Sequence, residues 1–464
     1  MKGHARDSQP SVGMISLGCA KNLSDAEIML GALTRAGYPI TSDPEAADIL
    51  VINTCGFIEK AREESVGAIF EAHRQLGRRR GKKHRKLIVA GCLAQRYPTE
   101  LPASIPEADA FIGLDQVREI DRIVAEVWEG AVGRSYVTPK PKYIADWDTP
   151  RVRLTPRHYA YVKIAEGCNH PCTFCAIPRM RGRHRSRPID SIIHEARGLV
   201  ADGTRELLLI SQDTTYYGMD LWAEKAGPRQ GADPSRGPGI IQLLQGLEGI
   251  DGDFWIRVLY THPAHWSDEL IAAIARCRKV ARYIDIPLQH IHGDMLRAMR
   301  RETSGAHIVN LIHRIRQGIP GVALRTTFIV GFPGETEDHF SHMLDFIEAT
   351  RFERLGVFTY SKEEGTRADS MAAQVPARTR QRRFERAMEL QQRLAREIQA
   401  ARIGSRLKVL VDAPTSARSE ADAPGIDGSV LLESPMPIGQ FAEVEIVGST
   451  DYDLIGKPMA SRPA

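Results

Sequence analysis

Three apolar runs, GMISLGC, ADILVINTC and KLIVAGC, each end in a cysteine, at Cys19, Cys55 and Cys92, and recur about every 37 residues. The first two lead into helical patterns. After Cys19, Ser24-x-x-Glu27 reads as a capping box for a helix that stops at Gly37, and Glu59–Ala72 has helical periodicity. Strand, helix, strand at this spacing predicts a parallel α/β sheet with crossover helices. In such sheets the carboxyl ends of the strands line the ligand crevice, so cysteines far apart in sequence converge there. Singly, each reads as a small buried hydrophobe. Three at one structural position read as a metal-cluster site.

A second trio, Cys168, Cys172 and Cys175, lies in the run GCNHPCTFC just after the strand-like YAYVKIA. Three thiolates within eight residues can hold an iron–sulfur cluster by three of its four irons. Four cysteines close a cluster for electron transfer; three leave a position open for a substrate or cofactor. The alternative is a structural zinc site with His170 as fourth ligand. Cys277, on an apolar-patterned helix, reads as core.

Around this second trio, strand-like runs alternate with helices. The predicted strands are 159–164, 206–210, 254–259, 283–288, 324–330 and 354–360. The predicted helices lie near 189–200, 240–247, 268–276, 308–316 and 337–349. Six strands with crossovers predict a curved, partly open (β/α)6 barrel, with the cysteines following its first strand at the face where barrel enzymes place their chemistry. A basic helix at 377–402 has one apolar stripe. The last segment turns to short strands, RLKVLVD, SVLLE, FAEVEIVG and YDLIG, enough for a small five-stranded OB-like barrel. The fold class is therefore α/β multidomain, with domains at 11–133, 154–402 and 404–464 and an irregular, proline-rich linker from Arg134 to Pro156.

A chain of 464 residues is long enough for two to four domains. No apolar stretch is long enough to cross a bilayer, and MKGHARDSQP lacks the apolar core of a signal peptide, so a cytoplasmic protein with no membrane partner is expected. Seven cysteines, an odd number partly clustered, fit metal ligation better than a disulfide frame. From Gly404 onward there are five basic and nine acidic residues, a net −4, while the whole chain carries +4. The dense basic run GRRRGKKHRK at 77–86 reads as a solvated loop or as a contact for an anionic partner such as RNA.

The spacing CxxxCxxC, with Phe174 before the last cysteine, resembles the signature of radical S-adenosylmethionine (SAM) enzymes. That resemblance implies SAM on the open iron. A low-potential cluster then gives its sulfonium one electron, yielding a 5′-deoxyadenosyl radical that abstracts hydrogen from an unactivated carbon. Phe174 and polar groups at the strand ends are the expected SAM contacts: Ser211, Gln212 and Asp213 after the second strand, Arg257 in the third, Gln289 ending the fourth and Gly331 after the fifth. Hydrogen abstraction needs one cluster. A second open cluster at Cys19, Cys55 and Cys92 points to sulfur delivery into a C–H bond.

Over nearly its whole length the chain resembles the methylthiotransferases, which implies two 4Fe-4S clusters, SAM as both methyl donor and radical source, and a C-terminal TRAM domain that helps engage the substrate. ISLGCAKNLSDAE, AEGCNHPCTFCAIPRMRGRHRSR, SQDTTYYG and YDLIG resemble the branch that modifies a protein, at the β-carbon of an aspartate in small-subunit ribosomal protein twelve. An electron donor such as flavodoxin or ferredoxin is the implied second partner. The acidic terminal segment suits a basic ribosomal protein and would raise its encounter rate. The basic run keeps open a tRNA adenosine methylthiotransferase. A reading of another class is a non-catalytic iron–sulfur protein that binds RNA or the ribosome.

Overall fold

The computed structural model describes residues 9–78, 85–227 and 229–459, so the centre of the basic run at 77–86 lies outside the described residues. The chain forms two compact units. One comprises 1–154 with 166–168 and 176–183; the other comprises 155–165, 169–175 and 184–464.

The N-terminal unit is built on a six-stranded, all-parallel sheet. Its spatial order is Ile40–Thr41, Val12–Ser16, Ile49–Thr54, Lys86–Gly91, Ala110–Ile112, Arg134–Tyr136. The central strands ILVINT and KLIVAG are buried almost throughout, because crossover helices cover both faces. Ile28, Met29 and Leu33 pack on one face with Ile49 and Val51, while Ile69, Leu93 and Leu101 pack on the other with Leu50, Ile52 and Phe111.

Two sequence expectations are corrected in this unit. The first helix, Ala20–Arg35, begins four residues before Ser24, with Cys19 in extended conformation as its N-cap, so Ser24 and Glu27 lie inside the helix and are buried. Glu27 is drawn away from a capping role by longer-range partners: Arg151 Nε donates to it at 2.7 Å and the Leu154 N–H at 2.8 Å. The stretch 134–154 is not a linker within this unit. Arg134–Tyr136 is the edge strand, and a Cβ at Gly31 would collide with the Pro150 backbone, so the chain after the sheet runs directly over the first helix.

The second unit holds the barrel strands Tyr159–Lys163, Glu206–Ile210 and Trp255–Val258 as one parallel triplet and Tyr283–Asp285, Ala323–Val330 and Arg354–Thr359 as another. A single parallel bridge joins Ile256 of the third strand to Val280 ahead of the fourth, and another pairs Gln289, past the end of the fourth strand, with Phe328 of the fifth. The fourth strand stops at Asp285, three residues short of the apolar run that predicts it. A helix at Ala377–Ala400 follows, buried along Ala387, Leu394 and Ala395.

Five strands close the terminal barrel: Arg406–Ala413, Ser416–Ser419, Val430–Leu432, Leu454–Pro458 and Phe441–Ser449. The second, SARS at Ser416–Ser419, carries no apolar alternation and leaves little trace in the sequence. This barrel is tied to the other strands of its unit by ion pairs. Arg257 Nε lies 2.6 Å from Glu206 Oε1 and Arg418 Nη1 2.6 Å from Glu206 Oε2, all buried. Asp412 meets His158 and Arg418, Asp422 meets Arg354, and Tyr283 Oη donates to Asp427 at 2.7 Å. The acidic count of the terminal segment is therefore largely spent inside the unit. Glu433, Glu443 and Glu445 are exposed, but Asp412, Asp422 and Asp427 hold the barrel in place, so the net charge of −4 is not a surface property and carries little of the argument for a basic partner.

Candidate metal and cofactor sites

Cys19, Cys55 and Cys92 sit at the carboxyl ends of three neighbouring strands, Val12–Ser16, Ile49–Thr54 and Lys86–Gly91, as the sequence pattern predicts. The three are electrostatic neighbours: the charge on Cys19 raises the pKa of both other thiols. The close approach depends on Gly18, whose φ is +91° and whose missing Cβ would lie 2.8 Å from Cys55 Cβ.

Arg181 is a buried cation at this site, and sequence reasoning did not single it out. Its Nη1 donates to Glu166 Oε1 at 2.9 Å. Its Nη2 reaches Asn22 Oδ1 at 2.8 Å, Asp25 Oδ2 at 2.9 Å and Cys92 Sγ at 3.4 Å, with all of these groups buried. Burial pushes the Cys92 thiol up to about 12, against the pull of Arg181. At Cys19 burial is outweighed by Lys21, Arg181 and the N–H groups of Asn22 and Lys21, and the pKa falls. Asn22 Nδ2 donates to the Thr54 carbonyl at 2.8 Å and so ties the first helix to the second strand end. The one faint signal for this network is the spacing Cys19, Asn22, Asp25, one helical turn apart each time.

None of the seven cysteines is in a disulfide. In the second trio the chain itself keeps the thiols together, three within eight residues. The Cys175 N–H donates to the Cys172 carbonyl at 3.1 Å, and Thr173 is anchored through its N–H to the Met299 carbonyl at 3.0 Å. Arg301 Nη1 approaches Cys172 Sγ at 3.7 Å while Nη2 donates to the Pro287 carbonyl at 2.7 Å. Cys277 is buried in the barrel core, as expected.

The expected SAM contacts divide. Ser211, in hydrogen-bond contact with Thr214 Oγ1 at 3.1 Å, and Gln212 follow the second barrel strand. Gln289 takes a φ of +70°, with its N–H and carbonyl bridging to Thr327 and Ile329. Phe174 packs against Met295, Met299, Phe332 and Tyr360. Arg257 does not join them. Its guanidinium is buried on Glu206, donates to the Glu420 carbonyl at 2.7 Å and lies over the Tyr283 ring, so it serves the docking of the terminal barrel. Gly331 is also corrected: its φ is +73°, its N–H donates to Glu335 Oε1 at 2.9 Å, and the space a Cβ would need is filled by the Arg380 side chain.

Asp213, read from the sequence as a SAM contact, lies in a buried histidine–carboxylate group that the sequence reading did not assemble. His170 Nε2 lies 2.7 Å from Asp213 Oδ2 and its Nδ1 3.1 Å from Glu302 Oε2. The zinc reading that makes His170 the fourth ligand of the cysteines is thereby replaced, since both ring nitrogens face carboxylates. Burial opposes charge on His170, but Asp213 and Glu302 prevail and raise its pKa to about 10. His262 stacks on His170 with ring centroids 3.6 Å apart, and His265 Nε2 lies 3.1 Å from His170 Nε2.

The donor sets suit iron–sulfur clusters: two trios of cysteines outside any disulfide, one with a buried arginine and helix-start N–H groups to offset thiolate charge. Among the described residues, no helix is long and apolar enough to cross a membrane. Residues 11–113 match the family described as Uncharacterized protein family UPF0004, 162–347 the Radical SAM superfamily and 403–459 the TRAM domain. The radical SAM match implies a 4Fe-4S cluster and SAM; the UPF0004 match is consistent with a second cluster. The fold of 76% of the chain is similar to that of the radical SAM methyltransferase TsrM from Kitasatospora setae, with a TM-score of 0.53 over 75% of that protein at 14% identity. Ribosomal protein uS12 methylthiotransferase RimO of Opitutus terrae is 54% identical over 98% of each chain. That of Akkermansia muciniphila is 53% identical over 96% of this chain and 99% of its own. With the parallel sheet, the six-stranded arc and the closed terminal barrel accounted for over the full length, the chain belongs to the RimO family of radical SAM methylthiotransferases.

Proposed function

We propose that this chain attaches a methylthio group to the β-carbon of an aspartate in ribosomal protein uS12. The observation that carries the reading is full-length similarity to uS12 methylthiotransferases in a chain whose three N-terminal cysteines gather at adjacent strand ends. In this reading Cys168, Cys172 and Cys175 hold the 4Fe-4S cluster that binds SAM, and Cys19, Cys55 and Cys92 hold a second one. When bound, these groups supply one-electron reduction and transfer of sulfur and methyl.

The protein's own residues have definable work. Arg181 offsets negative charge around Cys92 and binds Asp25 and Glu166 beside it. Arg301 places a fixed cation beside Cys172. Ser211, Gln212 and Gln289 offer polar groups at the strand ends that would orient SAM, and Phe174 would add an apolar contact. A small low-potential donor, such as flavodoxin or ferredoxin, supplies the electrons.

Mass spectrometry of uS12 peptides and of tRNA nucleosides from a deletion strain tests the reading. The methylthio-aspartate is expected to disappear while tRNA methylthiolation persists. The opposite pattern would establish the tRNA enzyme. A chain that leaves SAM intact when reconstituted and reduced would be a non-catalytic binding protein.

A further inference from the structure

Three donor atoms of the buried histidine group converge. His170 Nε2, His265 Nε2 and Asp213 Oδ2 are separated by 2.7, 3.1 and 3.3 Å. Ligands held at about 2.1 Å from one ion sit about 3.0 Å apart at the edges of an octahedron and about 3.4 Å apart in a tetrahedron. Two of the three separations fall in that range, and the third, the 2.7 Å hydrogen bond between His170 Nε2 and Asp213 Oδ2, would have to lengthen by about 0.3 Å on ligation. All three residues are at least 95% buried.

The outer partners fix each donor for ligation. His265 Nδ1 lies 2.6 Å from the Gln230 carbonyl, so that nitrogen carries the proton and Nε2 presents its lone pair. His170 Nδ1 faces Glu302 Oε2, the carboxylate–histidine arrangement that orients a ligating imidazole. Asp213 Oδ1 accepts from Thr215 Oγ1 at 2.7 Å and from the Tyr216 N–H at 3.2 Å, and its Oδ2 shares a proton with His170 Nε2 at 2.7 Å that the ion would displace on binding. Glu302 Oε1, on a side chain 93% buried, has no hydrogen-bond partner. His262, although within reach, is set against ligation. Its Nδ1 accepts the Ala264 N–H at 3.2 Å, so Nε2 carries the proton, and its ring lies nearly parallel to His170.

We propose that His170, Asp213 and His265 form a mononuclear site for a divalent transition-metal ion of the zinc or ferrous class, distinct from both cysteine trios. Two imidazoles and one carboxylate on one face of an ion suit those metals and leave further positions open. Because His170 lies between Cys168 and Cys172 while Asp213 and His265 follow the second and third barrel strands, the ion pins the cysteine loop to the barrel.

The test counts metal on the full chain with both clusters loaded. Zinc, and ferrous iron beyond the roughly eight cluster irons, are measured per chain after growth with each metal, and X-ray absorption identifies the ligands. The expected result is about one ion in a nitrogen and oxygen shell, lost at least tenfold in His265→Ala and Asp213→Asn and retained in His262→Ala. Glu302→Gln, a milder change, is expected to weaken binding about 10- to 100-fold, and it serves if the ligand variants do not fold. Absence of the ion after added zinc or ferrous iron, a sulfur-only shell, retention in both ligand variants, or equal loss in His262→Ala would overturn the assignment.

Discussion

Arg181 Nη2 lies 3.4 Å from Cys92 Sγ, and the same guanidinium is bound to Asp25, Asn22 and Glu166. A cation buried among two carboxylates and a thiol is a fixed element of charge balance, because none of these groups can turn to water.

Removing that cation is costly. Arg181→Met is expected to destabilise the chain by about 3 to 5 kcal/mol, since it strands Asp25 and Glu166 as buried charges. Arg181→Lys recovers only part of this, lacking the fork that serves several acceptors at once. Thermal unfolding of the cluster-free protein checks both; equal midpoints for wild type and Arg181→Met would sink the argument.

Cys55→Ala is expected to lose roughly half of the iron of reconstituted protein, to go on cleaving SAM and to attach no sulfur. Iron analysis, 5′-deoxyadenosine release and peptide mass spectrometry measure the three separately. Normal methylthiolated product from this variant would rule out sulfur delivery at the N-terminal trio. Cys172→Ala, by contrast, is expected to abolish 5′-deoxyadenosine.

At Gly331 steric and conformational costs can be parted. Gly331→Ala places a methyl group on the Arg380 side chain and forces alanine to a φ of +73°, a cost of about 1 to 3 kcal/mol. Adding Arg380→Ala removes the closest atoms of the collision, leaving only the 3.0 Å contact with its Cβ, but not the backbone strain, so the double variant is expected to recover stability only in part. Full recovery in denaturant unfolding would show that φ is not the constraint.

The acid sensitivity of the second unit follows from Glu206. Burial disfavours its charge, but Arg418 and Arg257 outweigh it and hold the carboxyl below its ordinary range. A depressed carboxylate contributes stability that is fully present above the unfolded pKa of about 4.3 and is lost as pH falls through the lower folded value. Unfolding measured from pH 7 down to pH 3 is expected to show this loss at the acid end. Glu206→Gln should flatten it and lower stability at pH 7 by about 3 kcal/mol; an unchanged acid limb would count against this role.

Much of the frame follows from sequence because its causes are local or periodic. Apolar runs ending in Cys19, Cys55 and Cys92, separated by helical patterns, have one common solution, a parallel sheet, and that sheet must put all three at one edge. The six barrel strands and the cysteine loop after the first are legible for the same reason. The tertiary structure alone decided the partners of buried charges. Arg257 turns to Glu206 rather than to the strand ends, Asp412 and Asp427 face inward, Glu27 leaves its capping position for Arg151, and His170 meets Asp213 and His265 from other strands. A charge removed from water takes whichever opposite group the packed fold brings near, and that choice is made across tens to hundreds of residues where no periodicity records it.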